Sequence, residues 1–334
     1  MLLSVLLLLL SLGLILLGAE LFTNGIEWFG RKLKLAEGPV GNVLAAVGTA
    51  LPETIVPIVA IVSGGSAGDT IGIGAILGAP LMLSTLAFFV TGVAVLYYAA
   101  KRKRSQTISV DPAAVGRDLQ SFFIVFAVAV AAGFFHVRWV KIAAAVFLLA
   151  AYAYYVRETF RCAEPADLAH DLEPLHISRH ARIPRFRVVV SQVLISLALI
   201  VGGAHVFVDN LSRIALASGA SPLILATIIC PIATELPEKF NSVIWIRRRK
   251  DKLAIGNITG AMVFQSSIPT AIGLLFTRWE LTPTALAAAA MALLASGFTL
   301  IGLKIRGRLS PRWLMASAVF YVGYLAWVFG AGGK

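Results

Sequence analysis

The sequence predicts an all-α membrane protein of ten transmembrane helices, arranged as two inverted five-helix repeats with helices 2 and 7 broken. Three observations predict it: long apolar runs recur along the whole chain, basic residues fall in alternate connections, and motifs of the first half return in the second. The 334 residues are 58% hydrophobic and only 14% charged, with a mean hydropathy of +0.85. Soluble domains of this size usually carry about 25% charged residues.

Apolar runs long enough to cross a bilayer lie at about 2–27, 38–64, 70–99, 119–135, 139–156, 188–212, 221–246, 253–276, 282–303 and 311–330. Each must be helical wherever it meets lipid, because hydrocarbon offers no hydrogen-bond partner. Met1–Gly18 is as hydrophobic as a signal peptide but lacks a basic leading region, and its continuation through Ala19–Asn24 recurs later in the chain. It reads as a permanent first span.

Charge placement gives the orientation. The connections after spans 1, 3, 5, 7 and 9 hold 23 of the 29 Lys and Arg residues. The other connections and the C-terminus hold Arg138, Lys141, Arg213, Arg278 and Lys334. One miscounted span would scramble this alternation. The positive-inside rule then puts the basic loops in the cytoplasm and both termini outside, as expected for a multi-pass protein of a prokaryotic plasma membrane. The formal charge of +12 thus meets lipid headgroups rather than nucleic acid. The expected partners are the bilayer and inorganic cations, with no obligate protein partner evident.

Other chemistries find little support. Cys162 and Cys230 form neither a disulfide framework nor a metal-ligand spacing. There is no G-x-x-x-x-G-K-[ST] loop for ATP, no H-E-x-x-H and no Ser/His/Asp set, so the chain is not expected to be an enzyme or to need a cofactor.

The repeat is explicit. Gly18-Ala19-Glu20-Leu21-Phe22 returns as Gly203-Ala204-His205-Val206-Phe207, and Thr49-Ala50-Leu51-Pro52-Glu53 as Thr234-Glu235-Leu236-Pro237-Glu238, both at an offset of 185. Gly74–Ala79 returns as Gly256–Ala261 at 182. Residues 1–156 form the first repeat, 157–187 a polar cytoplasmic linker and 188–334 the second repeat. Five spans per half is an odd number, so the halves enter from opposite sides, the plan of secondary transporters with midplane sites.

Glu53 and Glu238 occupy equivalent places deep in spans 2 and 7. An ionisable group there costs roughly 2.5–3.5 kcal/mol unless it faces a partner or a wet cavity. Each follows a proline; Pro52, Pro57 and Pro237 free the carbonyls of Gly48, Glu53 and Ala233 from helical bonding. Carboxylates beside free carbonyls make a hard-oxygen site for Na⁺ or Ca²⁺. Gly72, Gly74, Gly78, Gly256 and Gly260 suit close packing against the broken helices. Lys239 stands four residues after Glu235, close enough for an internal ion pair, and could replace or couple to a bound cation. Glu20, His205, Asp209 and Asn210 are candidates for access paths.

Gly48-Thr49-Ala50-Leu51-Pro52-Glu53 resembles the first alpha-repeat signature, G-T-S-x-P-E, of the sodium/calcium exchanger (cation/calcium antiporter) superfamily, prokaryotic type. Ala233–Glu238 resembles its second copy, and Gly74–Ala79 and Gly256–Ala261 resemble the G-N-x-x-G-S element that follows. The resemblance implies secondary antiport by alternating access, with Thr49, Glu53, Thr234 and Glu238 holding the ions and Glu53 and Glu238 the metal. Na⁺, Ca²⁺ or H⁺ are then substrates. This chain departs from the pattern at Ala50, Ala79, Leu83 and Ala261, while Glu235 and Gln265 are polar candidates of its own. A proton-coupled or other-cation exchanger that does not carry calcium is the alternative.

Overall fold

The computed structural model describes residues 1–33, 51–63, 67–162, 173–179 and 183–330, and within its helices it leaves undescribed the side chains of Leu51, Phe160, Cys162, Ala233 and 236–241. All regular structure among the described residues is helical. In chain order the helices are α1 (Leu2–Lys32), α2 (Leu51–Ser63), α3 (Gly68–Met82), a π-helical turn (Leu83–Ala87), α4 (Phe88–Ala100), α5 (Pro112–Ala132) and α6 (Arg138–Cys162). A 3₁₀ turn at His176–Ser178 precedes α7 (Phe186–Ser218), α8 (Pro222–Arg247), α9 (Asp251–Phe276), α10 (Pro283–Arg306), α11 (Pro311–Ala316) and α12 (Ala318–Gly330).

Among the described residues eight spans are long and apolar enough to cross a membrane; Gly68–Ala100 and Pro311–Gly330 each join two of these helices into one. The two other expected spans fall on α2 and α8. Their apolar stretches, Pro52–Ser63 and Pro222–Ile232, are shorter, because in α8 the acidic Glu235 and Glu238 and the basic Lys239 follow directly.

Two expectations need correcting. The seventh helix is not interrupted: α8 runs continuously from Pro222 to Arg247 through Pro231 and Pro237. Each proline removes one hydrogen bond, and the bonds on either side carry the helix across. The fourth helix begins at Pro112 rather than 119, with Asp111 as its N-cap accepting from the Ala113 amide at 2.9 Å. The cap and the proline at the first helical position start the helix before the apolar run does, which brings Asp118 inside it. The part of helix 2 that precedes Leu51 lies outside the described residues.

Helices α3–α6 and α8–α12 share one apolar core, to which α1 and α7 contribute no buried residue. A second, smaller cluster joins α1, α2, α3, α7 and α8 through Ile15, Val56, Ile71, Phe207, Ala226 and Cys230. Helices α1 and α7 pack on each other through reciprocal notches. A Cβ on Gly18 would stand 2.8 Å from Ile200 Cγ1 and 3.0 Å from the Ser196 carbonyl; one on Gly203 would stand 2.9 Å from Ile15 Cγ1 and 3.2 Å from the Ser11 carbonyl. Gly18, Ile15 and Ser11 are the counterparts of Gly203, Ile200 and Ser196 at the offset of 185. Equivalent residues therefore meet equivalent residues, as at a twofold axis.

The ends of the core are tied by polar groups. Arg104 spans both oxygens of Asp251 at 2.7 Å and also donates to the carbonyls of Ile246 and Thr107, while Asp251 accepts from the Ser109 amide. Removing one partner of such a buried pair costs about 3–5 kcal/mol. At the opposite end Trp279 is fully buried, bonded through Nε1 to the Ala129 carbonyl at 2.9 Å. There Arg138 donates to the carbonyls of Leu274, Leu275 and Thr277, and Lys141 to that of Arg278. Arg138 thus caps the C-terminal end of α9, and Lys141 holds the turn that follows it.

Candidate ion-binding site

The site grows from backbone contact between α3 and α8. Gly74 lies against the Leu223 carbonyl and Gly78 against the Thr227 carbonyl, so closely that added Cβ atoms would meet those oxygens at 2.8 and 2.3 Å. Gly72 lies likewise against Ile61 and the Pro57 carbonyl of α2. The glycines of the first G-x-x-x-G element therefore do the packing expected of them. Gly256 meets nothing within 4 Å among the described residues, and Gly260 only the Tyr155 hydroxyl at 3.9 Å. Positions 38 and 42, the counterparts of Leu223 and Thr227, lie outside the described residues.

This approach encloses a cavity of about 10 Å³ lined by Glu53, Val56 and Pro57 of α2, Ala75 and Ala79 of α3, and Cys230, Pro231 and Thr234 of α8. That volume suits one water-sized particle, hence a cation without its hydration shell. Glu53 is 5% exposed and stands in the first turn of α2. Thr234 is buried and donates its hydroxyl to the Cys230 carbonyl at 3.1 Å, which leaves the oxygen's lone pairs available. Pro231 leaves the Thr227 carbonyl without its helical donor. The arrangement offers a carboxylate and neutral oxygens around a small buried cavity, the chemistry of a hard-cation site.

Of the residues expected at the site, the structure brings together Glu53 and Thr234, one from each half. Glu235 is 1% exposed on α8 and is not in the cavity lining. Gln265, also 1% exposed, sits on α9 with no hydrogen-bond partner for Oε1 among the described residues. Thr49 and Ala50 lie outside the described residues, as do the side chains of Glu238 and Lys239, so the expected meeting of Glu53 with Glu238 does too. Glu20 stands 3.6 Å from His176 of the linker, and His205 contacts Ser63; the two counterparts have unrelated partners.

Cys230 and Pro231 are lining residues that sequence reasoning missed. A lone cysteine carries no spacing signal, but Pro231 did: a second proline six residues before Pro237 marks another freed carbonyl. Leu83, where the resemblance expects a polar ligand, opens the π-helical turn. There Thr85 bonds back to the Leu81 carbonyl, as Ser267 does to that of Val263; both pairs are counterparts at the offset of 182.

Comparison with known proteins decides the family. The family model for the sodium/calcium exchanger protein matches residues 3–159 and 188–330. The chain belongs to the sodium/calcium exchanger family. An uncharacterised membrane protein of Methanocaldococcus jannaschii is 27% identical to this exchanger-family chain over 283 residues, covering 79% of the chain and 80% of the relative. The crystal structure of the H⁺/Ca²⁺ exchanger CAX superposes with a TM-score of 0.77 at 18% identity, covering 96% of this chain and 82% of CAX. The sodium-calcium exchanger NCX_Mj gives a TM-score of 0.59 at 21% identity, covering 97% and 98%. At these identities the superpositions establish the fold. The exchanger family consists of transporters, not enzymes, and this member is an integral, multi-pass cation antiporter.

Proposed function

We propose that the protein exchanges cations by alternating access, through a midplane site built from Glu53 and Glu238 with Thr49, Thr234, Glu235 and Gln265 supplying further oxygens. Residues 1–156 and 188–334 act as inverted five-span repeats joined by the cytoplasmic linker 157–187, with ten crossings and both termini outside. The observation that carries this reading is the cavity between Glu53 and Thr234, one residue from each half. The reciprocal Gly18/Gly203 crossing supports the twofold relation. Burial of Glu53 in a lining that also holds the Thr234 hydroxyl supports a cation as cargo.

A second reading, an exchanger that moves protons or another cation and not calcium, is favoured by the lining itself. Ca²⁺ takes 6–8 oxygen ligands, and Val56, Ala75, Ala79 and Cys230 supply no side-chain oxygen. Lys239 would add positive charge near a site that must attract cations, and we assign it a coupling role.

Reconstituted flux decides between these readings. Proteoliposomes are loaded with Na⁺ or held under a pH gradient, and uptake of Ca²⁺ or of a competing cation is measured. Glu53→Gln and Glu238→Gln are each expected to lower flux at least 100-fold while the purified protein stays monodisperse; full activity in either removes that residue from the site. Lys239→Ala is expected to change the ion dependence of exchange, and unaltered coupling discards its role. Calcium uptake by the parent rejects the second reading.

A further inference from the structure

Within the core, away from the cavity between α2, α3 and α8, lies a carboxyl that ion exchange at Glu53 does not use. Asp118, on the second turn of α5, is 7% exposed. Its Oδ2 accepts from the Thr259 hydroxyl of α9 at 2.6 Å and its Oδ1 from the Tyr155 hydroxyl of α6 at 3.1 Å. The charged and titratable groups that face it are Arg117 of its own helix and Tyr155 of α6; α9 presents Thr259, and α10 packs on the adjacent turn through Leu303 against Gly116. Arg117 offers only Nε at 4.0 Å and its side chain is one-third exposed, so the carboxyl lacks the close bidentate cation that Asp251 has.

A buried ionised carboxylate held by two neutral hydroxyls is an expensive way to staple three helices; an amide would tie them at lower cost. What a carboxyl adds is a second satisfied state. Ionised, it accepts from both hydroxyls. Protonated, its own O–H donates to the Thr259 oxygen, while the threonine hydroxyl turns to the carbonyl of Ile255 four residues earlier. Thr85, Thr91, Thr227 and Thr299 make that same back-bond in this protein. One proton therefore reverses the hydrogen bond that ties α5 to α9, six residues before Gln265. Arg117 reaches the surface on the side of the basic loops, which gives a proton a short route in.

We propose that Asp118 is a proton-binding site, distinct from the ion cavity, that adjusts exchange to the pH on the side of the basic loops. The link to exchange rests on the function proposed above; proton binding itself does not. The test uses purified full-length protein in lipid. pH-difference infrared spectra are expected to show a buried carboxyl C=O band that Asp118→Asn removes and Tyr155→Phe, which deletes one hydrogen bond to it, moves in frequency. In proteoliposomes, Asp118→Asn is expected to flatten the dependence of flux on pH at the basic-loop face, from at least tenfold across the titration to under twofold. Spectra identical in parent and Asp118→Asn overturn the site. A band lost with an unchanged flux profile overturns its link to exchange. Absence of any cation flux in the parent sinks the exchange reading and leaves the infrared result to judge the site alone.

Discussion

The span Gly68–Ala100 and helix α1 are both long and strongly apolar, yet 83% of the most apolar stretch of the first is buried and only 22% of the second. Hydrophobicity does not choose between these fates, since lipid tails are as apolar as leucine. Side-chain size does. Helix α3 presents Gly72, Gly74, Ala75, Gly78 and Ala79 to its neighbours and comes to backbone contact with α8. Helix α1 exposes Leu2, Leu3, Leu6, Leu9, Leu10 and Leu17 and closes on α7 along one face only, through Gly18 and Gly25. The inside of this protein is where helices can approach, and its cavity lies beside one such backbone contact.

Adding single methyl groups sharpens the contrast. Gly78→Ala drives a Cβ to 2.3 Å from a backbone oxygen, which cannot yield as a flexible side chain would. It should cost about 3 kcal/mol or more, read as loss of folded protein or a steep fall in unfolding free energy in mixed detergent. Gly18→Ala meets the Cγ1 of Ile200 at 2.8 Å and the Ser196 carbonyl at 3.0 Å, a looser fit than at Gly78, and should cost about 1–2 kcal/mol. Combining it with Gly203→Ala should be non-additive by at least about 0.5 kcal/mol, because both notches belong to one crossing; strict additivity would mean the two sites do not share a contact. Gly202→Ala, one residue from the notch but with nothing within 4 Å among the described residues, should leave stability unchanged or raise it by up to about 1 kcal/mol through helix propensity. A large loss there would show that this face is covered.

Most of the helical plan was legible because the bilayer imposes a minimum apolar length and gathers most charged residues at the ends. The misses have physical causes. Hydropathy located the fourth span at its apolar run and so placed Asp118 outside, whereas the helix starts at its Asp111 cap and Pro112. The uninterrupted course of α8 was hidden because a proline reports a missing bond and not the strength of the bonds around it. At the candidate site, the signature around Glu53 and its second copy around Thr234 named two residues that line one cavity. Cys230 escaped because its role comes only from the fold, which turns it toward Glu53. Trp279 looks like a loop residue in sequence, yet it fills the space over Gly273 with a left-handed backbone, φ 47°, a conformation no pattern of hydrophobicity encodes.

The pairing of Arg104 with Asp251 has a consequence in time. The partners are 147 residues apart, so at 5–20 residues per second a ribosome needs roughly 7–30 s to deliver the acid after the base. Throughout that interval Arg104 is an unneutralised cation at the end of a freshly made span, available to retain its loop on one side of the membrane. When Asp251 arrives, the same guanidinium is withdrawn from the surface and becomes a clamp. One residue thus serves first as an instruction for insertion and later as a fastening, and only the order of synthesis keeps the two roles apart.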